Sequence, residues 1–323
     1  MQFAISLFVF VSTVVCLIFV AGAFYVYLVA FRADHRQIDE SILAPADANV
    51  KIGKDRIHYL ISDILDTPHE VVAIKSFDGL NLSAKYYHHA DGAPLDILFH
   101  GYRSASCRDC CGVFRISKDQ GHNVLLVDQR AHGKSEGIHM TMGLWERFDI
   151  ADWAACLAER CPQCKLVLHG CSMGAATVLY ASAQRLPQSV CCCVEDCGYT
   201  SPGEAFLQEL HYKYSSLPLK RAVLGVTNLI CRAVICFDLW WDDVRAAVRV
   251  STLPTLFLHG TADRAVPHRM GQELFALHRG PKQLELFEGA QHAVSYFADE
   301  QRYRSCCRQF ILACGAADTA HSA

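Results

Sequence analysis

The stretch LVLHGCSMG, residues Leu166–Gly174, decides the fold of this chain of 323 residues. It begins with three apolar residues, and good helix formers follow it from Ala175. This order predicts a buried strand, a sharp turn and a helix. The turn has the pattern Gly-x-Ser-x-Gly with Ser172 at its centre, and a turn this tight leaves no room for side chains beside the serine. We therefore predict that Ser172 is presented as a nucleophile.

Short apolar runs alternate with helical stretches through most of the chain, and Trp145–Leu157 is the clearest helical stretch. This alternation predicts an α/β fold, with a mostly parallel central sheet and helices on both faces. The first two runs read as a hairpin. Ligands of such sheets bind at the carboxyl ends of the strands. The runs are 71–76, 82–87, 95–99, 124–127, 166–168, 190–194, 255–258 and 284–287.

Breaks in this pattern divide the chain. We predict a transmembrane anchor (1–31), a juxtamembrane connector (32–69), a main domain (70–315) and a tail (316–323). Residues from about 201 to 250 interrupt the alternation and are rich in Leu, Tyr and Trp. They predict a small helical cap over the site. Ordinary packing of extra helices on the core is the alternative.

Residues 1–31 contain no charged side chain, and the apolar run exceeds the roughly 20 residues needed to span a bilayer. A cleaved signal peptide is the alternative, but no basic segment precedes the run and the run is too long. Basic residues such as Arg32 and Arg36 follow it, which favours a cytoplasmic main domain. The 17 cysteines, read mostly as free buried thiols, agree with a reducing compartment. The sequence predicts a single-pass membrane protein.

Two later strands supply partners for the serine. Strand 255–258 is followed by Asp263, held between Gly260 and Pro267, and strand 284–287 is followed by His292. A serine hydroxyl needs a positioned base, and the base needs an orienting acid. We predict a Ser172–His292–Asp263 triad, with Asp196 as the rival acid because it also follows a strand.

Two backbone amides are expected to stabilise an oxyanion. The amide of Met173 directly follows the nucleophile, and the amide of Tyr102 follows an earlier strand in the sequence His100-Gly-Tyr. The segment 128–135, DQRAHGKS, is interpreted as a structural loop beside the site. His132 within it is a less favoured second base.

The chain resembles the α/β-hydrolase superfamily. More closely, it is similar to bacterial membrane-anchored α/β hydrolases of the serine aminopeptidase S33-like or BEM46-like group. The resemblance implies an α/β-hydrolase fold and a serine hydrolase, and it leaves the substrate open. It extends over roughly residues 70 to 310, and its motifs are LFHGYRS, VDQRAHGKSEG, LHGCSMGAAT, DCGYTSP, LHGTADRAVP and EGAQHAVSY.

Metal, cofactor and nucleic-acid partners are not predicted. The net charge is −3, and we see no nucleotide or flavin motif and no basic stripe in the main domain. Two Cys-x-x-Cys pairs, Cys107 with Cys110 and Cys161 with Cys164, have zinc-knuckle or redox spacing. We expect them to lie at different edges of the sheet, too far apart to share a metal ion.

Two classes of function remain open. The first is a serine hydrolase that cleaves a lipophilic ester or thioester, a small-molecule or lipid-like acyl substrate, with a peptidase as the alternative chemistry on the same residues. The second is a membrane-tethered binding module that has kept the fold without catalysis.

Overall fold

A computed structural model describes residues 1–33, 54–213, 220–241 and 243–316. Its centre is one sheet of eight strands in the order β1-β2-β4-β3-β5-β6-β7-β8. The strands are β1 (Glu70–Lys75), β2 (Asn81–Tyr87), β3 (Leu95–Phe99), β4 (Asn123–Val127), β5 (Leu166–Cys171), β6 (Val190–Asp196), β7 (Thr255–Gly260) and β8 (Lys282–Phe287).

The sheet is mostly parallel, as predicted. β1 and β2 form an antiparallel hairpin, β2 also runs antiparallel to β4, and every other neighbouring pair is parallel. Residues of β3, β4 and β5 are buried throughout, because helices cover both faces of these central strands. The carboxyl ends of β3, β5, β6, β7 and β8 therefore meet at one edge.

Twelve helices surround the sheet in the described part of the chain. Alternating side chains of β3 show the two layers: Leu98 packs with α2, α4 and α12, whereas Phe99 packs with α5 and α6 on the other face. The helices are α1 (Gln2–Phe31), α2 (Lys54–Asp66), α3 (Ser106–Asp109), α4 (Cys111–Gln120), α5 (Glu146–Arg160), α6 (Met173–Ala181), α7 (Pro202–Lys213), α8 (Lys220–Ile235), α9 (Val244–Val250), α10 (Arg269–Leu277), α11 (Ser295–Ala298) and α12 (Glu300–Ala313).

Cysteines serve as small apolar residues in this core. All 17 are free and most are buried. Cys192 packs with the α2/α4/α12 layer, and Cys193 packs on the opposite face of the same strand. Burial raises the pKa of Cys193 to about 12, so its thiol stays protonated at neutral pH.

The insertion between β6 and β7 is helical and contains α7, α8 and α9. Phe237 and Leu239 are fully buried against neighbouring helices, but Trp241 is 88% exposed. The apolar composition of this insertion predicts a cap over the site, and the exposure of Trp241 corrects that prediction for this side chain. Residues 214–219 and 242 lie outside the described residues, as do 34–53 of the predicted connector and 317–323 of the predicted tail.

The helix α1 has two parts with different surroundings. Its first part, up to Val20, is exposed around nearly its whole circumference, whereas the second part buries Ala23, Tyr27 and Phe31 against the main domain and still exposes Phe24, Tyr25 and Val29. It is long and apolar enough to cross a membrane. A signal sequence near the N-terminus would meet the same criteria of length and composition.

Candidate active site

Ser172 lies at the turn between β5 and α6 with φ 54° and ψ −112°, a backbone conformation that few non-glycine residues adopt. The glycines on either side make this turn possible. A Cβ on Gly170 would lie 2.2 Å from the carbonyl oxygen of Gly174, and a Cβ on Gly174 would lie 2.1 Å from that of Phe99. The close approach of two backbone segments explains the Gly-x-Ser-x-Gly spacing.

The predicted partners of Ser172 lie within hydrogen-bonding distance. His292, in the loop after β8, has Nε2 2.9 Å from Oγ of Ser172. Its Nδ1 lies 2.7 Å from Oδ2 of Asp263, in the loop after β7. Asp263 is held by the backbone N–H groups of Ala265 and Val266, both of which donate to its Oδ1. The three side chains form a continuous chain of contacts that can move a proton away from the serine.

The electrostatics of the site keep Asp263 ionised. Burial alone would raise its pKa, but the neighbouring imidazoles of His292 and His259 hold it well below its usual range. Burial would lower the pKa of His292, whereas the charge of Asp263 and its hydrogen bond raise it, and the net direction is upward. A carboxylate that stays charged can orient the imidazole and stabilise its protonated form.

His259 is a second histidine beside Asp263 that sequence reasoning missed. It is completely buried on β7, and its Nε2 lies 3.4 Å from Oδ2 of Asp263 and 2.8 Å from the carbonyl oxygen of Val266. The spacing His259-x-x-x-Asp263 across the strand end is the only sequence signal for it. His259 contacts the acid and not the serine, which makes it a positioning residue.

Residues 100–104, which follow β3 and are called the oxyanion loop below, lie beside the turn that carries Ser172. A Cβ on Gly101 would lie 3.3 Å from the Cβ of Ser172, so the loop backbone passes close to the nucleophile. The N–H of Gly101 donates to Oδ2 of Asp109, and the hydroxyl of Ser104 donates to its Oδ1. Asp109 thus fixes the loop that carries the predicted donor Tyr102, and no motif or periodicity in the sequence indicates this contact.

The second predicted donor, Met173, is the first residue of α6. N–H groups in the first turn have no acceptor within their own helix, and they point along its axis. The amide of Met173 therefore directly follows the nucleophile at the positive end of a helix.

The loop after β4 has a structural role, as the sequence predicted. Arg130 pairs with Asp149 and Asp78, and Asp128 accepts from the hydroxyl of Ser106 and from a loop amide. His132 accepts the N–H of Arg103 at Nε2, and its Nδ1 lies 2.9 Å from the carbonyl oxygen of Arg130. These contacts tie the loop to the oxyanion loop and engage both ring nitrogens of the proposed second base.

Within the described ranges, the one group of side chains with metal-binding geometry is Cys197, Asp263 and His292, whose ligand atoms lie within 4.8 Å of one another. It shares two members with the candidate triad. Burial raises the pKa of the Cys197 thiol well above its usual range, which disfavours the thiolate that a metal needs. The geometry suits proton transfer better than metal binding. Neither Cys-x-x-Cys pair belongs to such a group.

Comparison with known proteins agrees with this architecture. Residues 97–218 match the family model described as the alpha/beta hydrolase fold. The chain is 28% identical to the YqkD protein of Bacillus subtilis over 196 residues, and 26% identical to the human protein ABHD12B over 218 residues. These matches cover 60% and 65% of this chain and 63% and 58% of the relatives, so the chain spans less than two thirds of each relative's length.

Solved structures give the same fold. A Pyrococcus furiosus esterase, Pf2001, superposes with a TM-score of 0.64 at 21% identity, covering 78% of this chain and 93% of the esterase. Est1E of Butyrivibrio proteoclasticus, solved with ferulic acid bound, superposes with a TM-score of 0.56 at 19% identity, covering 75% and 98%. Identities this low show shared architecture, and together with the family model and the sheet order they show that the chain has the α/β-hydrolase fold.

Proposed function

We propose that this protein is a serine hydrolase that cleaves a lipophilic carboxylic ester or thioester. The observation that carries the proposal is the double contact of His292, with Nε2 2.9 Å from Oγ of Ser172 and Nδ1 2.7 Å from Asp263. This arrangement supplies a nucleophile, a base and an orienting acid in the order and geometry that acyl transfer requires.

The proposed reaction has two stages. In the first, Oγ of Ser172 attacks the carbonyl carbon while His292 takes the serine proton, and the amides of Tyr102 and Met173 stabilise the oxyanion. Collapse of the tetrahedral species expels the alcohol or thiol, which receives that proton from His292. In the second, His292 deprotonates a water molecule that attacks the acyl-enzyme and releases the acid, and the proton returns to Ser172.

Aromatic side chains beside the oxyanion loop support an apolar substrate. The ring of Phe206, in α7, packs edge-on against Tyr102 with the centroids 5.9 Å apart. Phe31 packs against Phe206 and Phe237 at 5.0 and 5.8 Å. Phe206 and Tyr102 are half-buried, so an acyl chain that packed on these two rings would gain about 0.8 kcal/mol for each CH₂ that it buries. We therefore favour a lipid-like acyl substrate.

An aminopeptidase on the same triad is the second candidate, and the described carboxylates of the insertion argue against it. An aminopeptidase needs a carboxylate to hold the free α-amine of its substrate. Glu204 pairs with Arg245 at 2.8 Å, Asp243 caps α9, and Asp238 accepts from the amides of Trp240 and Trp241. Because these three are engaged within the protein, they are poor anchors for an amine.

The membrane is the proposed location, with α1 as a retained single-pass anchor and the hydrolase domain in the cytoplasm. The packing of its end on the main domain supports retention of α1, since Ala23, Tyr27 and Phe31 are buried there. Basic residues after the helix support the cytoplasmic orientation.

Replacing the nucleophile tests the proposal directly. The full chain and its Ser172→Ala variant, purified in detergent, are compared in labelling by a fluorophosphonate probe and in hydrolysis of p-nitrophenyl esters. We expect the wild type to be labelled and active, and the variant to be unlabelled and slower by about 10⁴-fold or more. A folded wild type that neither reacts with the probe nor hydrolyses esters would support the non-catalytic binding module instead.

A further inference from the structure

The carboxyl end of α1 is capped by the main domain and not by its own backbone. The last carbonyl groups of a helix have no partner within it. Here the carbonyls of Val29 and Arg32 accept from the guanidinium of Arg103, the carbonyl of Ala30 accepts from the hydroxyl of Tyr102 at 2.7 Å, and that of Phe31 accepts from a backbone amide at 2.8 Å. Three of these four contacts come from the oxyanion loop.

Arg103 connects the end of α1 to the oxyanion loop through its side chain, and its backbone is held within the main domain. Its guanidinium also donates to the hydroxyl of Tyr102 at 3.0 Å, so both side chains meet at the same helix end. Its backbone has φ 50°, which is unfavourable for a residue with a side chain, and its N–H donates to His132 at 3.1 Å. A conformation of this kind persists only where surrounding contacts hold it.

Charge and packing reinforce the same contact. The carboxyl end of a helix carries partial negative charge, and a guanidinium beside it is stabilised there. The fully buried ring of Phe31 lies against Phe206, which also contacts Tyr102. On the far side, the hydroxyl of Thr227 in α8 donates to the carbonyl of Ala23. The end of α1 therefore lies between the insertion and the oxyanion loop.

We propose that the docked end of α1 is a positioning element for the oxyanion loop, acting through the side chains of Tyr102 and Arg103. These contacts set where the amide of Tyr102 points, and loss of them lets the strained loop relax away from the developing oxyanion. Asp109 fixes the start of the loop at Gly101, whereas α1 fixes the two residues that follow. The inference rests on the proposed serine hydrolase function.

The loop effect can be separated from substrate binding. The substrate is a short, water-soluble p-nitrophenyl ester, and the inhibitor is a trifluoromethyl ketone, whose carbonyl carbon bonds to Ser172 and leaves a stable oxyanion. The full chain in detergent is compared with Arg103→Gln and with Tyr102→Phe, which removes only the hydroxyl. We expect Arg103→Gln to lower kcat at least tenfold and to lower the affinity for the ketone inhibitor by a similar factor. KM should change less than threefold.

Matched variants separate positioning from general damage. Arg103→Lys keeps a cation that can donate to the helix carbonyls and should recover part of the lost kcat. Arg160→Gln removes an exposed ion pair with Glu70 and should leave kcat unchanged. If Arg103→Gln fails to fold, Tyr102→Phe decides the matter with an expected loss of threefold or more in kcat and in ketone affinity.

The outcomes also distinguish this inference from the function on which it rests. Full activity in Ser172→Ala would overturn the proposed function. A wild type that depends on Ser172, together with unchanged kcat and ketone affinity in folded Arg103→Gln and Tyr102→Phe, would overturn the positioning inference alone. A rise in KM without a fall in kcat would also overturn it, because that pattern indicates lost substrate binding.

Discussion

The hydroxyl of Ser295 donates a 3.0 Å hydrogen bond to Oδ1 of Asp196, at the carboxyl end of β6. This contact engages Asp196, the alternative candidate for the acid. Asp263 instead lies 2.7 Å from Nδ1 of His292. Burial raises the pKa of Asp196, whereas two histidines lower that of Asp263 despite its burial. The pKa values of these two buried carboxyl groups therefore shift in opposite directions.

Amide substitutions should separate these two acids. We expect Asp263→Asn to lower kcat by about 10⁴-fold, because the amide no longer holds the imidazole in the tautomer that accepts the serine proton. Asp196→Asn can still accept from Ser295 and should retain activity within tenfold. Steady-state kinetics on the two variants make the comparison, and a larger loss in Asp196→Asn would mean that the acid has been misassigned.

The dependence of kcat/KM on pH should report the ionisation of His292. The imidazole must be neutral to accept a proton, and Asp263 raises its pKa above the ordinary value of about 6.5. We therefore expect kcat/KM to rise with pH through a single ionisation whose midpoint lies above that value. Asp263→Asn removes the stabilising charge, so the midpoint of its residual activity should move to lower pH. A midpoint below pH 6 in the wild type would contradict this electrostatic account.

Two glycines in contrasting environments test how tightly the turn at Ser172 is packed. An added Cβ at Gly174 would lie 2.1 Å from the carbonyl oxygen of Phe99, whereas one at Gly225 in α8 meets nothing within 4 Å. We expect Gly174→Ala to lower Tm strongly or to prevent folding. Gly225→Ala should raise stability by about 0.5 to 1 kcal/mol, because alanine loses less backbone entropy in a helix. Thermal unfolding of both proteins measures the difference, and equal Tm values would argue against the tight packing at the turn.

Glu195 should make stability depend on pH. It is completely buried on β6, and burial raises its pKa to about 7 from an ordinary value near 4.5. Folding therefore favours its protonated form, and this contribution is complete below about pH 4.5 and disappears as pH rises to 7. We expect Glu195→Gln to be more stable than wild type at pH 8, by on the order of 3 kcal/mol, and nearly equal at pH 4.5. Urea unfolding at both pH values would show an unchanged difference if the side chain were solvated.

Substrate preference should follow the aromatic contacts beside Tyr102. We expect kcat/KM for p-nitrophenyl esters to increase with acyl length over the first several carbons, because each buried CH₂ contributes about 0.8 kcal/mol. Aminoacyl p-nitroanilides should be poor substrates, since three of the described insertion carboxylates, Glu204, Asp238 and Asp243, are engaged by partners within the protein. Both series are measured on one preparation. A flat ester profile with rapid release of N-terminal amino acids would favour the aminopeptidase.

Most of the candidate site could be predicted from one pattern, in which a polar residue follows the end of an apolar strand. Ser172, Asp263 and His292 each follow an apolar run, and parallel strands bring such positions to one edge. The proximity of these residues could therefore be predicted without knowing any loop structure. The predicted hairpin and the parallel pairings also follow from local periodicity, and the observed strand pairs confirm them.

The remaining features depend on contacts made by loops or between distant segments. Asp109, the last residue of α3, reaches back to Gly101 in the preceding loop, and Arg103 reaches Val29 across 74 residues of chain. No periodicity indicates such pairs. The apolar run of α1 predicted its helix but gave no sign that Phe31 would be buried in the main domain, since a lipid-facing and a protein-facing phenylalanine look alike in sequence.

The unbroken helix α1 also limits how the hydrolase domain can move. The exposed apolar part, Gln2–Val20, is roughly 28 Å long at 1.5 Å per residue, close to the thickness of a bilayer core. The same rigid rod then ends in capped carbonyls on the domain, with no flexible tether between them. In a membrane, such an enzyme would hold its active-site mouth at constant height and tilt. It would then meet its substrate by lateral diffusion in two dimensions. Its rate would depend on the concentration of substrate in the surrounding lipid and not on the concentration in bulk solution.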